Sequence, residues 1–342
     1  MSTAARKGKG RAPAPEPKVE AAVPFGKQLA HTDKKVRDAA IANLRAFLSR
    51  GGDNGASSTY TRLEDAEMAK LWKGLFYCFW MSDKPLVQQG LASELSNLLL
   101  DISPAVKGGK KEKEAAKLEA AIAFLEGFWT SLVREWNGID RLRMDKYYML
   151  IRRYVNATFR LLARAGWSEA AVSAVNDIMS AKSGPMSWQD RAVPSSLATH
   201  LADVYLEELD KVLADEDVEP APLVAILAPH IALLARTTTP AVHKRLQSVL
   251  FDRVLAALKE DEDEDERPAK RAKKEAAATT SEFPHIAERS ALAAGADAAS
   301  PKAVRSALLK ALFKEAAQES AVESNRRKIY AVVRENEDDD DE

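Results

Sequence analysis

Residues 71–90 read LWKGLFYCFWMSDKPLVQQG, a run of aromatic and apolar side chains that ends at Ser-Asp-Lys-Pro. The run contains Cys78, the single cysteine of the chain. Such a segment could be a membrane span, the site of a reactive thiol, a stacking platform for nucleic acid, or a helix buried between other helices. Each of these alternatives makes a different demand on the rest of the sequence.

The composition excludes several classes of protein. The apolar run from Leu71 to Met81 is shorter than the roughly 20 residues that cross a bilayer, and a lysine interrupts it. We expect no secretory signal, because no apolar stretch follows the basic N-terminus. One cysteine allows neither an internal disulfide nor a cysteine zinc site, and the five histidines lack HExxH spacing. Apolar residues at 46% and charged residues at 30% indicate a soluble, mainly helical protein.

Helical periodicity recurs along the chain in pairs. Thr-Asp-Lys before Val36 recurs as Ser-Asp-Lys before Val87 and as Met-Asp-Lys at 144–146, at spacings of about 50 and 60 residues. HEAT and armadillo units span about 40–47 residues, and the inserted loop PAVKGGKKEKEAAK explains the longer spacing. Further pairs are expected at 167–179 with 193–213 and at 223–234 with 240–258. The pattern predicts an all-α fold, an α-solenoid of HEAT/armadillo-like helix pairs with disordered charged tails.

Local signals set the boundaries of these elements. Thr61-x-x-Glu64 has the spacing of a capping box and predicts a helix that begins at Thr61, while Pro85 suits the first turn of the next helix.

Composition predicts that the chain has five parts. They are a disordered basic arm at 1–22, a helical-repeat domain at 23–258, a low-complexity linker at 259–299 with an acidic run and a basic import-like signal, a C-terminal helical segment at 300–336, and an acidic tail at 337–342.

The aromatic stretch fits best as a buried helix. A helix that is apolar nearly all round is expected where it lies between its partner and the next repeat. A stacking platform for RNA would need exposed rings, which the helical period disfavours. Cys78 is then an inert buried thiol. The residues predicted to form the structural core are Trp72, Phe76, Phe79 and Trp80.

Basic side chains in residues 136–164, WNGIDRLRMDKYYMLIRRYVNATFRLLAR, form the sharpest candidate for a binding surface. Apolar residues occupy one arc of this helix and basic residues align on another. A stripe of Arg and Lys suits phosphate contacts, because each contact releases condensed counterions. A solvated face with ion pairs to Asp140, Asp145 or a neighbouring repeat fits the same pattern. The hypothesised RNA-binding residues are Arg141, Arg143, Lys146, Arg152, Arg153, Arg160 and Arg164.

The segment RPAKRAKK at 267–274 has the density of Lys and Arg that is typical of a nuclear import signal, and it follows the acidic run EDEDEDE. The predicted signal residues are Lys270, Arg271, Lys273 and Lys274. Without further context the same block could act as a solubilising tail. The cysteine usage and the neighbouring acidic run favour import.

No catalytic constellation is present in the sequence. It has no GxxxxGK[ST] phosphate loop, no GxSxG elbow and no recognised pairing of His with Ser or Cys. Paired carboxylates occur mainly in the acidic runs, which cannot hold two groups in a fixed geometry. We therefore expect no enzyme, no cofactor, no metal and no small-molecule substrate.

Three segments carry a resemblance to a known family: LWKGLFYCFWMSDKPLVQQ, WNGIDRLRMDKYYMLIRRYV and FGKQLAHTDKKVRDAAIANLRAFL. They resemble segments of the ribosomal RNA processing protein 1 family over about Phe25 to Met179, and ESNRRKIYAVVRE resembles it more weakly. The resemblance implies a non-enzymatic nucleolar factor of large-subunit assembly that supports internal-spacer processing. It also implies partners, namely other assembly factors including a Brix-domain protein, ribosomal proteins and pre-ribosomal RNA, with no membrane.

The sequence thus favours a scaffold of nucleolar 60S subunit biogenesis whose surfaces hold protein partners and pre-rRNA. The alternative is a HEAT-type nuclear transport adaptor or a protein-only nuclear scaffold. A nuclease is disfavoured, because the sequence shows no cluster of carboxylates that could bind a metal.

Overall fold

A computed structural model describes residues 26–29, 31, 33–51, 60–259 and 282–341, with side chains described from Gln28 to Asn336. The predicted basic arm, the acidic run and the import signal lie outside the described residues, as does most of the linker. Within the described part, helices dominate and pack side by side. The prediction of an all-α solenoid is confirmed.

The helices alternate between two layers. The first layer contains α1 (Gly26–Leu29), α3 (Asp65–Trp80), α5 (Lys110–Glu135) and α7 (Glu169–Ser180). The second layer contains α2 (Lys34–Arg50), α4 (Pro85–Asp101), α6 (Met144–Arg164) and α8 (Ser195–Leu213). Within each layer successive helices contact one another, α3 to α5 to α7 and α2 to α4 to α6 to α8. Hydrogen bonds between neighbouring repeats join residues 52 to 66 positions apart, close to the predicted repeat length.

The C-terminal half continues the array with shorter elements. It contains α9 (Leu223–Ile226), α10 (Ala228–Arg236) and a continuous helix formed by α11 (Pro240–Arg245), a π-helical turn (Leu246–Phe251) and α12 (Asp252–Ala257). The π turn packs on α8. After the undescribed segment follow α13 (Pro284–Glu288), α14 (Pro301–Ala316) and α15 (Glu323–Asp341). The last two helices form a hairpin that packs on α10.

Local signals explain several of the helix ends. The Asp33 carboxylate accepts a hydrogen bond from the Lys35 amide at 3.0 Å and caps α2. Pro85 occupies the first turn of α4, where an amide proton has no partner in any case. The predicted start at Thr61 is wrong, because α3 begins at Asp65. Buried Leu63 and an ion pair between Arg62 and Glu126 of α5 hold the preceding chain in non-helical contact with the body.

The predicted linker at 259–299 differs from the structure over the described residues 282–299. Phe283 and Ile286 are buried, and the Ile286 amide donates to the Asp210 carboxylate of α8 at 2.8 Å. A short parallel bridge then pairs strand β1 (Ala221–Pro222) with strand β2 (Ser290–Ala291). The Ala-rich sequence concealed this docking, because only two large apolar residues carry it.

A candidate nucleic-acid interface

The helix α6 is anchored by its apolar arc. The buried residues of this arc include Tyr147, Leu150, Ile151, Tyr154 and Val155. The hydroxyl of Tyr147 donates to the Phe76 carbonyl of α3 and that of Tyr154 to the Leu95 carbonyl of α4, each at 3.0 Å. Burial raises the pKa of both phenols above the usual range, so they stay neutral donors. The opposite face of α6 is thereby fixed in orientation.

The structure buries Lys146 against the C-terminal end of α3. Its side chain is buried, and its ammonium donates to the carbonyl oxygens of Trp80 at 2.6 Å and Ser82 at 2.9 Å. These carbonyls lie at the C-terminal end of α3, where the carbonyls of the last turn lack N–H donors within the helix and the helix dipole favours a cation. Burial lowers the pKa of Lys146 to about 8. The prediction that Lys146 tracks phosphates is therefore corrected, because its donors are already used to cap α3.

Arg143 also contacts the C-terminal end of α3. It donates to the Trp80 carbonyl at 3.3 Å, pairs with Asp140 at 2.5 Å, and its guanidinium lies 5.0 Å from the centre of the Trp80 ring. The ion pair with Asp140 was one of the alternatives for the basic stripe. The Arg143 guanidinium covers one face of the partly buried Trp80 ring.

Arg152 is engaged by the next repeat. Its guanidinium binds both Glu207 and Glu208 of α8, the latter at 2.5 Å. The Glu208 carboxylate is 6% exposed and also accepts hydrogen bonds from Asn156 at 3.0 Å and Lys211 at 2.7 Å. A half-buried carboxylate network of this kind fixes the α6–α8 contact. Sequence reasoning missed Glu207 and Glu208, because a pairing across more than 50 residues leaves no local signal.

Three exposed arginines of the stripe remain, and we call Arg153, Arg160 and Arg164 the basic ridge. Arg153 makes no hydrogen bond to any described residue. Arg160 donates to the Asn97 amide oxygen at 3.2 Å and Arg164 to the Leu100 carbonyl at 3.1 Å, both on α4. At 1.5 Å per residue the ridge extends over about 17 Å. Exposed single hydrogen bonds of this kind are readily exchanged for a phosphate.

A polar groove of about 500 Å³ runs beside the ridge, between α4, α6 and α8. Charged and polar side chains dominate its walls, which consist of Ser93, Ser96, Asn97, Met149, Arg152, Arg153, Asn156, Ala157, Arg160, Glu208 and Lys211. Guanidinium and amide groups in such a groove can bind phosphate and sugar oxygens.

Arg141, another of the hypothesised RNA-binding residues, is also exposed. It precedes α6 and lies at the opposite end of the helix from Arg164, so it is not part of the basic ridge.

The aromatic stretch lies in the core at the junction of three helices. Trp72, Phe76 and Phe79 are buried, and Trp80 is partly buried. The Trp72 indole donates to the Phe124 carbonyl of α5 at 3.1 Å, and the Phe76 ring stacks on Tyr147 of α6. Burial raises the pKa of the Cys78 thiol to about 12, which suppresses the reactive thiolate.

Among the residues that the structure describes, no group of three or more His, Cys, Asp or Glu residues could hold a metal ion. No helix in the described ranges combines the length and the apolar character that a membrane span requires.

The fold defines the class of the protein: it is an α-solenoid whose helices bury a continuous core and leave charged faces outside. Its family follows from sequence comparison. The family profile described as "Nucleolar protein, Nop52" matches residues 20–333, and the chain belongs to this family. The protein is accordingly nucleolar, within the nucleus.

The relatives carry names that connect the family with ribosomal RNA processing. Ribosomal RNA processing protein 1 homolog B of Mus musculus is 37% identical over 200 residues, which cover 57% of this chain and 25% of the relative. Ribosomal RNA processing protein 1 homolog A of Homo sapiens is 31% identical over 233 residues, which cover 68% of this chain and 46% of the relative. The chain thus spans between a quarter and a half of the relatives it matches.

Proposed function

We propose that the protein is a non-enzymatic scaffold of large (60S) ribosomal subunit biogenesis that supports internal-spacer processing of pre-rRNA. Membership in the Nop52 family supports a role in ribosomal RNA processing. The observation that carries the scaffold role is the α-solenoid with an exposed basic ridge beside a polar groove. Repeat arrays of this kind offer long surfaces for binding rather than an enclosed catalytic cavity.

In this proposal the ridge contacts pre-rRNA through its phosphates. Arg153, Arg160 and Arg164 present their cations on one side of α6, while Arg152 is neutralised by its two glutamates. The remaining solenoid surface holds protein partners, namely other assembly factors, including a Brix-domain protein, and ribosomal proteins. The predicted import signal brings the protein to the nucleus.

The RNA contact is tested by a triple variant with Arg153, Arg160 and Arg164 changed to Gln. Each lost phosphate contact should reduce the slope of log affinity against log salt by about 0.7 for single-stranded RNA, so the slope should fall by about 2. The matched control changes three exposed lysines of the first layer, Lys70, Lys73 and Lys113, to Gln. An unchanged slope in the ridge variant, or an equal loss in the control, would contradict the assignment.

The scaffold role is tested by purifying the tagged protein and identifying the RNA and proteins that accompany it. Precursors of the large subunit should be enriched with wild-type protein. If import receptors and their cargo are enriched instead, the protein is a transport adaptor. Cleavage of spacer RNA by the purified protein in the presence of magnesium would show that it is an enzyme.

A further inference from the structure

The C-terminal hairpin carries an exposed aromatic pair. Phe313 of α14 is 51% exposed, and its ring stacks on Tyr330 of α15 with 4.9 Å between centroids and an interplanar angle of 26°. Most large apolar side chains of this hairpin, such as Leu312 and Ile329, are buried against the body. The stacked pair therefore presents aromatic rings at the surface of the hairpin.

Basic side chains frame the pair on both helices. Lys310 and Lys314 flank Phe313 along α14, and Arg327 and Arg334 lie one turn before and after Tyr330 along α15. All four are exposed. Lys310, Lys314 and Arg334 form no ion pair with any residue that the structure describes. We call the two rings and these four cations the aromatic seam.

Among the side chains that the structure describes, the acidic groups near the seam do not cancel this charge. Glu323 binds Arg327 at 3.1 Å, but both side chains are more than half exposed, so water and salt screen the pair. Glu315 is bound to Arg236 of α10. Glu335 falls about 140° around the helix from Tyr330 and points away from the seam. The seam therefore keeps a local excess of positive charge around a flat apolar surface.

Flat rings framed by cations match the chemistry of unpaired nucleotides. Bases stack on exposed aromatic rings, and neighbouring Lys and Arg bind the phosphates that connect them. A duplex cannot use such rings, because its bases are already stacked on each other. An acidic peptide would satisfy the cations, yet it offers no flat partner for the rings. We propose that the aromatic seam is a second RNA-binding site, specific for single-stranded segments.

This inference rests on the proposed function only in taking RNA as the ligand; the seam and the ridge share no residue. The two sites should differ in the form of RNA that they bind. The ridge contacts phosphates and binds single and double strands alike, whereas the seam needs free bases. A measurement that compares the two forms of RNA separates them.

The test uses the full chain, a labelled 12-nucleotide oligouridylate and an RNA duplex of equal length. Phe313→Ala should weaken binding of the oligouridylate by roughly 5- to 150-fold, the range for loss of one stacked base, and leave duplex binding unchanged. Phe313→Tyr keeps the ring and should bind like the parent. Because Phe313 is half exposed, the variant should keep the parent's unfolding midpoint in urea, which is measured alongside.

Four outcomes decide between the seam, the ridge and an acidic protein partner. Selective loss of oligouridylate binding in Phe313→Ala supports the seam. Equal oligouridylate binding by the parent and Phe313→Ala overturns the seam and leaves the ridge intact. Loss of binding to a labelled polyglutamate peptide in the variant with Lys310 and Lys314 changed to Gln, with oligouridylate binding retained, assigns the seam to an acidic protein partner and also overturns it. If the parent binds neither RNA, the RNA part of the proposed function fails as well.

Discussion

Gly127 of α5 lies directly against the aromatic core, and adding one methyl group there tests the packing of the first layer. A Cβ atom at this position would lie 2.4 Å from Trp72 Cδ1, 2.6 Å from Trp72 Nε1 and 2.7 Å from Met68 Cγ. The indole cannot easily move, since its Nε1 donates to the Phe124 carbonyl and its ring packs 4.6 Å from Phe124 and 5.4 Å from Phe128.

Two effects of Gly127→Ala oppose each other, and their magnitudes decide whether the free energy of unfolding rises or falls. Alanine improves helix propensity by about 1 kcal/mol over glycine. Overpacking costs about 1–3 kcal/mol, and contacts below 3 Å against a fixed ring belong to the upper half of that range. We therefore expect about 2–3 kcal/mol of overpacking and a net loss of about 1–2 kcal/mol in the free energy of unfolding.

Gly90 of α4 provides the matched control. No atom lies within 4 Å of the Cβ that an alanine would add there, so Gly90→Ala should gain about 0.5–1 kcal/mol. Urea unfolding of the parent and both variants, followed by tryptophan fluorescence, measures the three free energies. If Gly127→Ala is as stable as Gly90→Ala, the close contact of α3 with α5 is wrong.

Two further predictions follow from buried and charged groups. Burial lowers the pKa of His230, whose ring packs 4.2 Å from Tyr205, to about 3. As the pH falls, the unfolded state therefore takes up this proton before the folded state does. The stability contributed by neutral His230 is present above pH 6.5 and is lost as the pH falls from there toward 3. The urea midpoint of His230→Leu should drop less than that of the parent between pH 7 and pH 4; an equal drop would refute the assignment. Separately, a fluorescent fusion in which Lys270, Arg271, Lys273 and Lys274 are changed to Gln should accumulate less in the nucleus. Unchanged accumulation would assign import to another segment.

The helices were predictable because their signals are local. The apolar arc of α6 follows from a period of 3.6 residues, and Pro85 sits where the missing amide proton costs nothing. The sequence also indicated why the aromatic stretch is buried, since a helix without a polar face needs neighbours on every side.

The fate of the basic side chains was not predictable, because their partners are remote in sequence. Lys146 and Arg153 lie on nearly the same side of α6, but the turn after α3 covers only the first of them. Arg152 differs from Arg153 by one position and meets two glutamates of α8. The same limit explains the aromatic seam: Phe313 and Tyr330 belong to different helices, and only their antiparallel packing brings the rings together.

The proposed RNA contacts lie on different parts of the array, and this separation fits a scaffold. The basic ridge lies in the second layer on α6, beside α4 and α8, whereas the aromatic seam lies on the hairpin that packs against α10. If both contact RNA, each can be weak, because binding at one raises the effective concentration of the strand at the other. That gain applies only to a strand long enough to reach both places. Such an arrangement selects long, partly unpaired RNA over short fragments without reading its sequence.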